Sequence, residues 1–285
     1  MPVDAVRALQ AEPRRSRVAW DRGDVMLYHL GIGAGVPATD PAELRYTLEN
    51  RLHVLPSFAT VAGGAMDWAD AVSAPGIESD LSGVLHGTQS LILHRPVPVR
   101  GDATRTTAVT AVHDKGTAAV VALRSELADA GGPLWTGEAR IFLRGQGGFG
   151  GERGASPRPP APGGRPALVL ERTLREDQAL LYRLCGDRNP LHADPDVARR
   201  AGYDRPILHG LCSYGVVLKA LVDTELNGDV TRVRGYDARF TGVVFPGETL
   251  RLSVWRTARD ARVVTASVVE RDDAPVLTAT VHCDR

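Results

Sequence analysis

The sequence predicts an α+β protein built from two copies of one unit, each an antiparallel sheet wrapped around a helix. Three observations carry this. An apolar helical run followed by four strand-like segments occurs twice along the 285 residues. A Gly/Pro-rich stretch, "GQGGFGGERGASPRPPAPGGRP" from Gly145 to Pro166, divides the two occurrences, and such a composition holds neither a helix nor a central strand. Finally, the offset of 146 residues that sets Gly101 on Gly247 also sets Val97 on Val243, Asp102 on Glu248 and Arg105 on Arg251.

In the first half, the helical run is "FATVAGGAMDWADAV", Phe58 to Val72. Strand-like segments follow at 87–97, 102–112, 117–127 and 133–143, parted by the turns "VRG", "HDKG" and "DAGG". In the second half, "TLRE" at Thr173–Glu176 reads as a capping box that opens a helix through Ala179, Leu180, Tyr182 and Leu184. Gly186 ends it, because glycine tolerates the backbone of a helix C-cap. A second, largely apolar helix, "LCSYGVVLKALVDTEL", is expected to be buried, with Ser213 and Gly215 small enough to let a sheet approach. Strands are expected at 233–243, 248–258, 262–271 and 275–283. The domains are therefore 1–150 and 168–285, with a linker at 151–167. Trp68, Trp135 and Trp255 read as core or interface residues.

Composition excludes several classes. The net charge is zero, so no field favours nucleic acid or an anionic membrane. No apolar run reaches the roughly 18 residues of a membrane span, and "MPVDAVRALQAEPRR" lacks the apolar centre of a signal peptide. Three widely spaced cysteines, Cys185, Cys212 and Cys283, support neither a disulfide framework nor a CxxC metal site, and a reducing cytoplasm is expected.

"LYRLCGDRNPLHADP", Leu181 to Pro195, places Asp187, Asn189 and His192 where a helix must stop. Asn189 precedes Pro190 and is steered away from helical geometry. A tight turn can aim three side chains at one point, which that spacing on a straight helix would not do. Taken singly, each residue is an ordinary turn residue or a structural histidine. With "RPILHGLCSYG" following, the set gains a chemical meaning. Gly210 stands at the start of the buried helix, whose first N–H groups lack intrahelical partners and carry partial positive charge. An acid, a base and an anion-stabilising N–H are the parts of proton-transfer chemistry on a carbonyl compound.

The stretch "YRLCGDRNPLHADPDVARRAGYDRPILHGLCSYG" resembles the hydratase 2 motif of the MaoC-like dehydratases, the (3R)-specific 2-enoyl-CoA hydratases. "YHLGIGAG", "VLPSF", "VLHGTQ" and "GGFGG" are similar to other family segments, so the likeness spans nearly the whole chain. It implies a double hot dog fold with one active site per chain, because the first half lacks D-x-N-P-x-H and is given over to the acyl chain. It implies that Asp187 and His192 hold and activate one water, that Asn189 orients them, and that the Gly210 N–H bonds the thioester oxygen. Glu49, His86, Gly87 and His209 are expected at the substrate. An acyl-CoA substrate follows, with acyl-carrier protein as the alternative carrier, no metal or organic cofactor, and a homodimer.

Two rivals stand beside hydration: thioester hydrolysis, which hot dog folds also host, and a non-catalytic acyl-CoA binding module. A serine hydrolase is disfavoured because Ser213 has no G-x-S-x-G elbow. Cys212 reads as a small packing residue. "GGFGG" lacks the context of a phosphate loop.

Overall fold

The computed structural model describes residues 3–64, 73–77, 83–155 and 162–284. Its strands are β1 (Arg14–Trp20), β2 (Val84–Leu93), β3 (Gly101–Asp114), β4 (Ala118–Asp129), β5 (Gly132–Arg144), β6 (Leu168–Thr173), β7 (Val233–Phe240), β8 (Thr249–Ala258), β9 (Ala261–Val268) and β10 (Ala274–Cys283). They form one sheet in the order β1-β3-β4-β5-β2-β7-β10-β9-β8-β6. Read inward from its two edges, the sheet repeats one pattern, 1-3-4-5-2 and 6-8-9-10-7. The halves meet where β2 pairs antiparallel with β7, with Thr88 opposite Arg239 and Ile92 opposite Gly235.

Eight strands match the expected segments. The two that the sequence did not announce, β1 and β6, lie at the outer edges. An edge strand pairs on one side only, so it needs less of the apolar alternation that marks a central strand. In β1 only Val18 and Trp20 are buried. The capping box at Thr173 does not form. Thr173 is the last residue of β6, and its hydroxyl lies 3.1 Å from that of Thr249 across the ladder. The helix begins later, as α4 (Gln178–Tyr182), after α1 (Ala5–Leu9), α2 (Arg22–Gly31) and α3 (Pro41–Thr47). Sheet pairing has overridden a local helix signal.

The expected first-half helix is also corrected over its described part. Pro56–Thr60 and Ala62–Gly64 are short 3₁₀ turns, and Gly63 (φ 80°) and Gly64 (φ 67°) take left-handed backbone that no helix continues. Residues 65–72, including Trp68, lie outside the described residues. Trp135 is buried. Trp255 ties the end of the linker to β8 by donating to the Gly164 carbonyl, 3.1 Å away.

Two further helices complete the second half, α5 (Pro195–Arg200) and α6 (Gly210–Glu225). Every residue from Leu211 to Val222 is buried. This helix is the core of the unit, packed with Val254, Val264, Ala266 and Val281 of the sheet. Each large aliphatic side chain so buried contributes roughly 1.5–3 kcal/mol. Gly215 allows a close approach, but to α2 rather than to the sheet. A Cβ there would lie 2.6 Å from both Ile32 and the Tyr28 hydroxyl. The lone charge in this run, Lys219, is neutralised by Glu43 at 2.7 Å and Asp223 at 2.8 Å. None of the described helices is long and apolar enough to cross a membrane.

Candidate active site

After α4 the chain tightens into a 3₁₀ turn, Arg183–Cys185, and reverses at Gly186 (φ 131°). No other residue fits there, since a Cβ would stand 2.5 Å from the Gly64 carbonyl oxygen. The first half thus presses on the turn that carries Asp187. Asn189 takes extended backbone (ψ 122°) and starts a second 3₁₀ turn, Pro190–His192, with its own Oδ1 accepting the Leu191 N–H. The orienting contact expected of Asn189 comes from its backbone: its N–H donates to Asp187 Oδ1 at 3.1 Å.

These bends bring the acid and the base together. His192 Nε2 lies 4.0 Å from Asp187 Oδ2, and both side chains are about nine-tenths buried. That separation is too long for a direct hydrogen bond. His192 Nδ1 donates to the Ile207 carbonyl at 2.8 Å. Burial holds the imidazole below its ordinary pKa, so in the neutral ring the proton sits on Nδ1 and Nε2 presents a lone pair. Burial pushes the Asp187 carboxyl above its usual range, opposed by His192 and by the Asn189 N–H.

Gly210 is the first residue of α6. The N–H groups of Cys212 and Ser213 return to the His209 carbonyl, while those of Gly210 and Leu211 precede the helical ladder. Asp187, Asn189, His192 and Gly210 line one cavity of about 120 Å³, together with Ser213, His86 and Phe240. The four residues that the sequence marked as catalytic therefore share one wall-to-wall space. The cavity adjoins a larger groove of about 570 Å³, and His86 and Phe240, edge to face at 5.1 Å, line both.

The chain matches the model of the MaoC-like domain over residues 158–276 and that of the multifunctional enzyme type 2 hydratase 2 N-terminal domain over 19–145. It is 46% identical to enoyl-CoA hydratase ChsH3 of Mycobacterium tuberculosis, covering 98% of both chains. The chain belongs to the MaoC-like dehydratase family. A MaoC-like dehydratase from Phytophthora capsici superposes with a TM-score of 0.86 at 27% identity, over 99% of this chain and 98% of that one. A double hot dog protein of M. tuberculosis, Rv0216, superposes with a TM-score of 0.60 at 16% identity, over 96% of each chain, and shows the same fold. The fold of this family member is a double hot dog.

The remaining expected residues divide. His86 lines the cavity and Gly87 the groove beside it. His86 sits at a β-bulge, its Nε2 is 3.0 Å from the Thr88 carbonyl, and burial lowers its pKa to about 4. Gly87 is set by packing: a Cβ would meet the Phe142 ring at 2.6 Å. Glu49 is exposed and lines neither space. His209 is not at the cavity wall; it is 1% exposed, behind His192, and its ring stacks on that of His192 at 3.8 Å. It completes a trio with Asp187 and His192 whose polar atoms lie within 4.8 Å of one another. By distance the trio could hold a cation. The two rings are tilted by only 29°, however, so their in-plane lone pairs run side by side rather than converging as metal ligands do.

A second numerical echo went unread in the sequence. Tyr28 and Tyr182, Leu30 and Leu184, Asp40 and Asp194, and Pro41 and Pro195 are each 154 residues apart. Both aspartates cap a short helix with proline at its first position, α3 and α5. At that offset Asp187, Asn189 and His192 fall on Gly33, Gly35 and Ala38, and Gly210 falls on Pro56. The first half keeps the frame of the site and has lost the acid, the base and, because proline has no N–H, the donor.

Proposed function

We propose that this chain is a (3R)-specific 2-enoyl-CoA hydratase, a hydro-lyase that adds water reversibly to trans-2-enoyl-CoA. One observation carries the reading: two acceptors, Asp187 Oδ2 and His192 Nε2, stand 4.0 Å apart on the cavity that the α6 start also faces. A water accepted by both at about 2.8 Å stands at the apex of a near right angle, off the line between them. Its oxygen then attacks C3, and the π electrons move toward the thioester oxygen, where the Gly210 N–H stabilises the enolate. The proton taken by the dyad returns to C2, so one water delivers both parts to one face. These three protein groups supply every step, and no metal or organic cofactor is required of them.

The adjoining groove suits the phosphates of a thioester carrier, CoA in the first place and acyl-carrier protein as the alternative: Lys115, Arg140, Arg144 and Arg239 line it, against two acids, Glu138 and Asp237. Residues 1–150 are read as the non-catalytic half that accommodates the acyl chain, 151–167 as linker and 168–285 as the catalytic half. A reducing compartment, the cytoplasm in the simplest case, fits three free buried cysteines, and the homodimer is carried over from the family resemblance. Fatty-acid or related acyl-CoA metabolism is the setting.

Loss of the conjugated enoyl-thioester absorbance tests the reaction, and chiral analysis of the product tests the stereochemistry. Asp187→Asn and His192→Gln are each expected to lower kcat by about 10²-fold or more while remaining folded. Either variant at full rate, or release of free CoA thiol in place of hydration, overturns the reading.

A further inference from the structure

His209 is the N-cap of α6, yet its side chain caps nothing. The ring turns back toward the catalytic turn instead. Nε2 donates to the backbone carbonyl of Asp187 at 3.1 Å, and one face stacks on His192 at 3.8 Å. The Tyr182 ring of α4 also packs against it, tilted, with centroids 4.9 Å apart. The side chain is buried to 1% exposure and its Nδ1 meets no partner among the described residues. A buried imidazole that leaves a nitrogen unsatisfied costs the fold on the order of 1–3 kcal/mol relative to an apolar ring of the same shape. Packing alone would be served better by phenylalanine.

We propose that His209 is a positioning residue for hydration: it clamps the Asp187 backbone and the His192 ring so that both acceptors keep their grip on one water opposite Gly210. The inference rests on the hydratase reading given above. One side chain touches the acid's backbone and the base's ring, and its own peptide leads directly into the Gly210 N–H. A shift of any of the three would be felt by the other two. The charged and titratable groups facing it are His192 and Asp187 of the turn, Arg183 beside that turn, and Tyr182 of α4. Burial and His192 hold His209 well below the ordinary imidazole pKa, so at neutral pH it donates through Nε2 alone and adds no charge beside the base.

Two variants separate the clamp from simple filling. His209→Phe keeps the volume and the stacked ring but removes the donor. His209→Gln keeps a donor and removes the stack. Both are first checked for a cooperative thermal transition. His209→Phe is expected to lower kcat by about 10- to 100-fold, the scale of effect when reacting groups are misplaced by about 1 Å, with KM for the enoyl-CoA changed by less than about 3-fold. His209→Gln is expected to lose rate as well, and also to move the acid limb of kcat toward higher pH, because His192 regains water and its pKa rises toward the free value. In His209→Phe that limb stays in place. If both folded variants retain wild-type kcat and pH profile, His209 is packing only and the proposal falls, while the hydratase reading stands. If wild-type protein does not hydrate enoyl-CoA, the earlier reading has failed instead.

Discussion

His29, His86, His192 and His209 are all held uncharged by the fold, and the reason is local in each case. His29 shows it most plainly. Its Nδ1 is 2.8 Å from the Tyr46 carbonyl, and its Nε2 accepts the Leu55 N–H at 3.2 Å, so a second ring proton would break a backbone contact. Burial lowers its pKa to about 3 and that of His86 to about 4, and places His192 and His209 below their ordinary value. A lowered folded-state pKa means that the stability is fully present above the unfolded value of about 6.5 and is lost as pH falls below it. Between pH 7.5 and 5.5 His29 and His86 each remove about 1.4 kcal/mol, about 3 kcal/mol for the pair, and His192 and His209 act in the same direction. Asp187, whose pKa is raised, acts in the opposite sense, favouring the fold at low pH, but it is one group against four. Urea unfolding at the two pH values checks this. An unchanged midpoint would show that these rings are protonated in the folded state.

At the scale of elements, α6 decides most of the architecture, and its one buried cation is the best place to test that. Lys219 is held between Glu43 of α3 and Asp223 of α6, and it stands 5.0 Å over the Tyr46 ring, whose hydroxyl donates to Asp223. Removing one partner from a buried ionic group strands the others. Lys219→Ala is therefore expected to cost about 3 kcal/mol or more, read by chemical denaturation. A loss below about 1 kcal/mol would mean that water reaches the two carboxylates. This helix and the eight inner strands were legible because burial on a helix or alternation in a strand imprints its period on the residues. β1 and β6 were not, since one bare edge leaves "RRSRVAW" and "LVLERT" with little pattern. The false capping box at Thr173 has the same origin: a local signal that a neighbouring strand outbid. The family resemblance put His209 at the substrate. Nothing in the sequence says that the ring folds back behind His192, which is a property of three elements meeting.

The whole molecule is a duplicated unit in which one copy has kept the chemistry, and the loss in the other can be traced atom by atom. A second cavity, about 260 Å³, is lined by His53, Val54 and Pro56 and by Pro96, Val97 and Pro98. The first three are 154 residues before Ile207, Leu208 and Gly210, and the second three are 146 before Gly242, Val243 and Val244, all on the wall of the active cavity. This space is the first copy's counterpart of the catalytic site, with His53, Asp229 and Thr231 on its wall but no acid, base and N–H donor at the positions that carry them in the active copy. Gly33 and Ala38, the counterparts of the acid and the base, do not line this space, so restoring an acid and a base at those positions is not expected to restore hydration. Gly33 has φ 88°, so an aspartate at that position is strained by about 1–2 kcal/mol, and Pro56 supplies no N–H to an enolate whatever the turn carries. Losing a single oxyanion donor costs about 10²–10³ in kcat, enough to cancel what one general base contributes. In a background of Asp187→Asn, adding Gly33→Asp with Ala38→His should leave turnover at the level of the single variant. Recovery of even a tenth of wild-type turnover would show that the backbone donor is dispensable. The Gly210 N–H of the active copy would then lose the role given to it here.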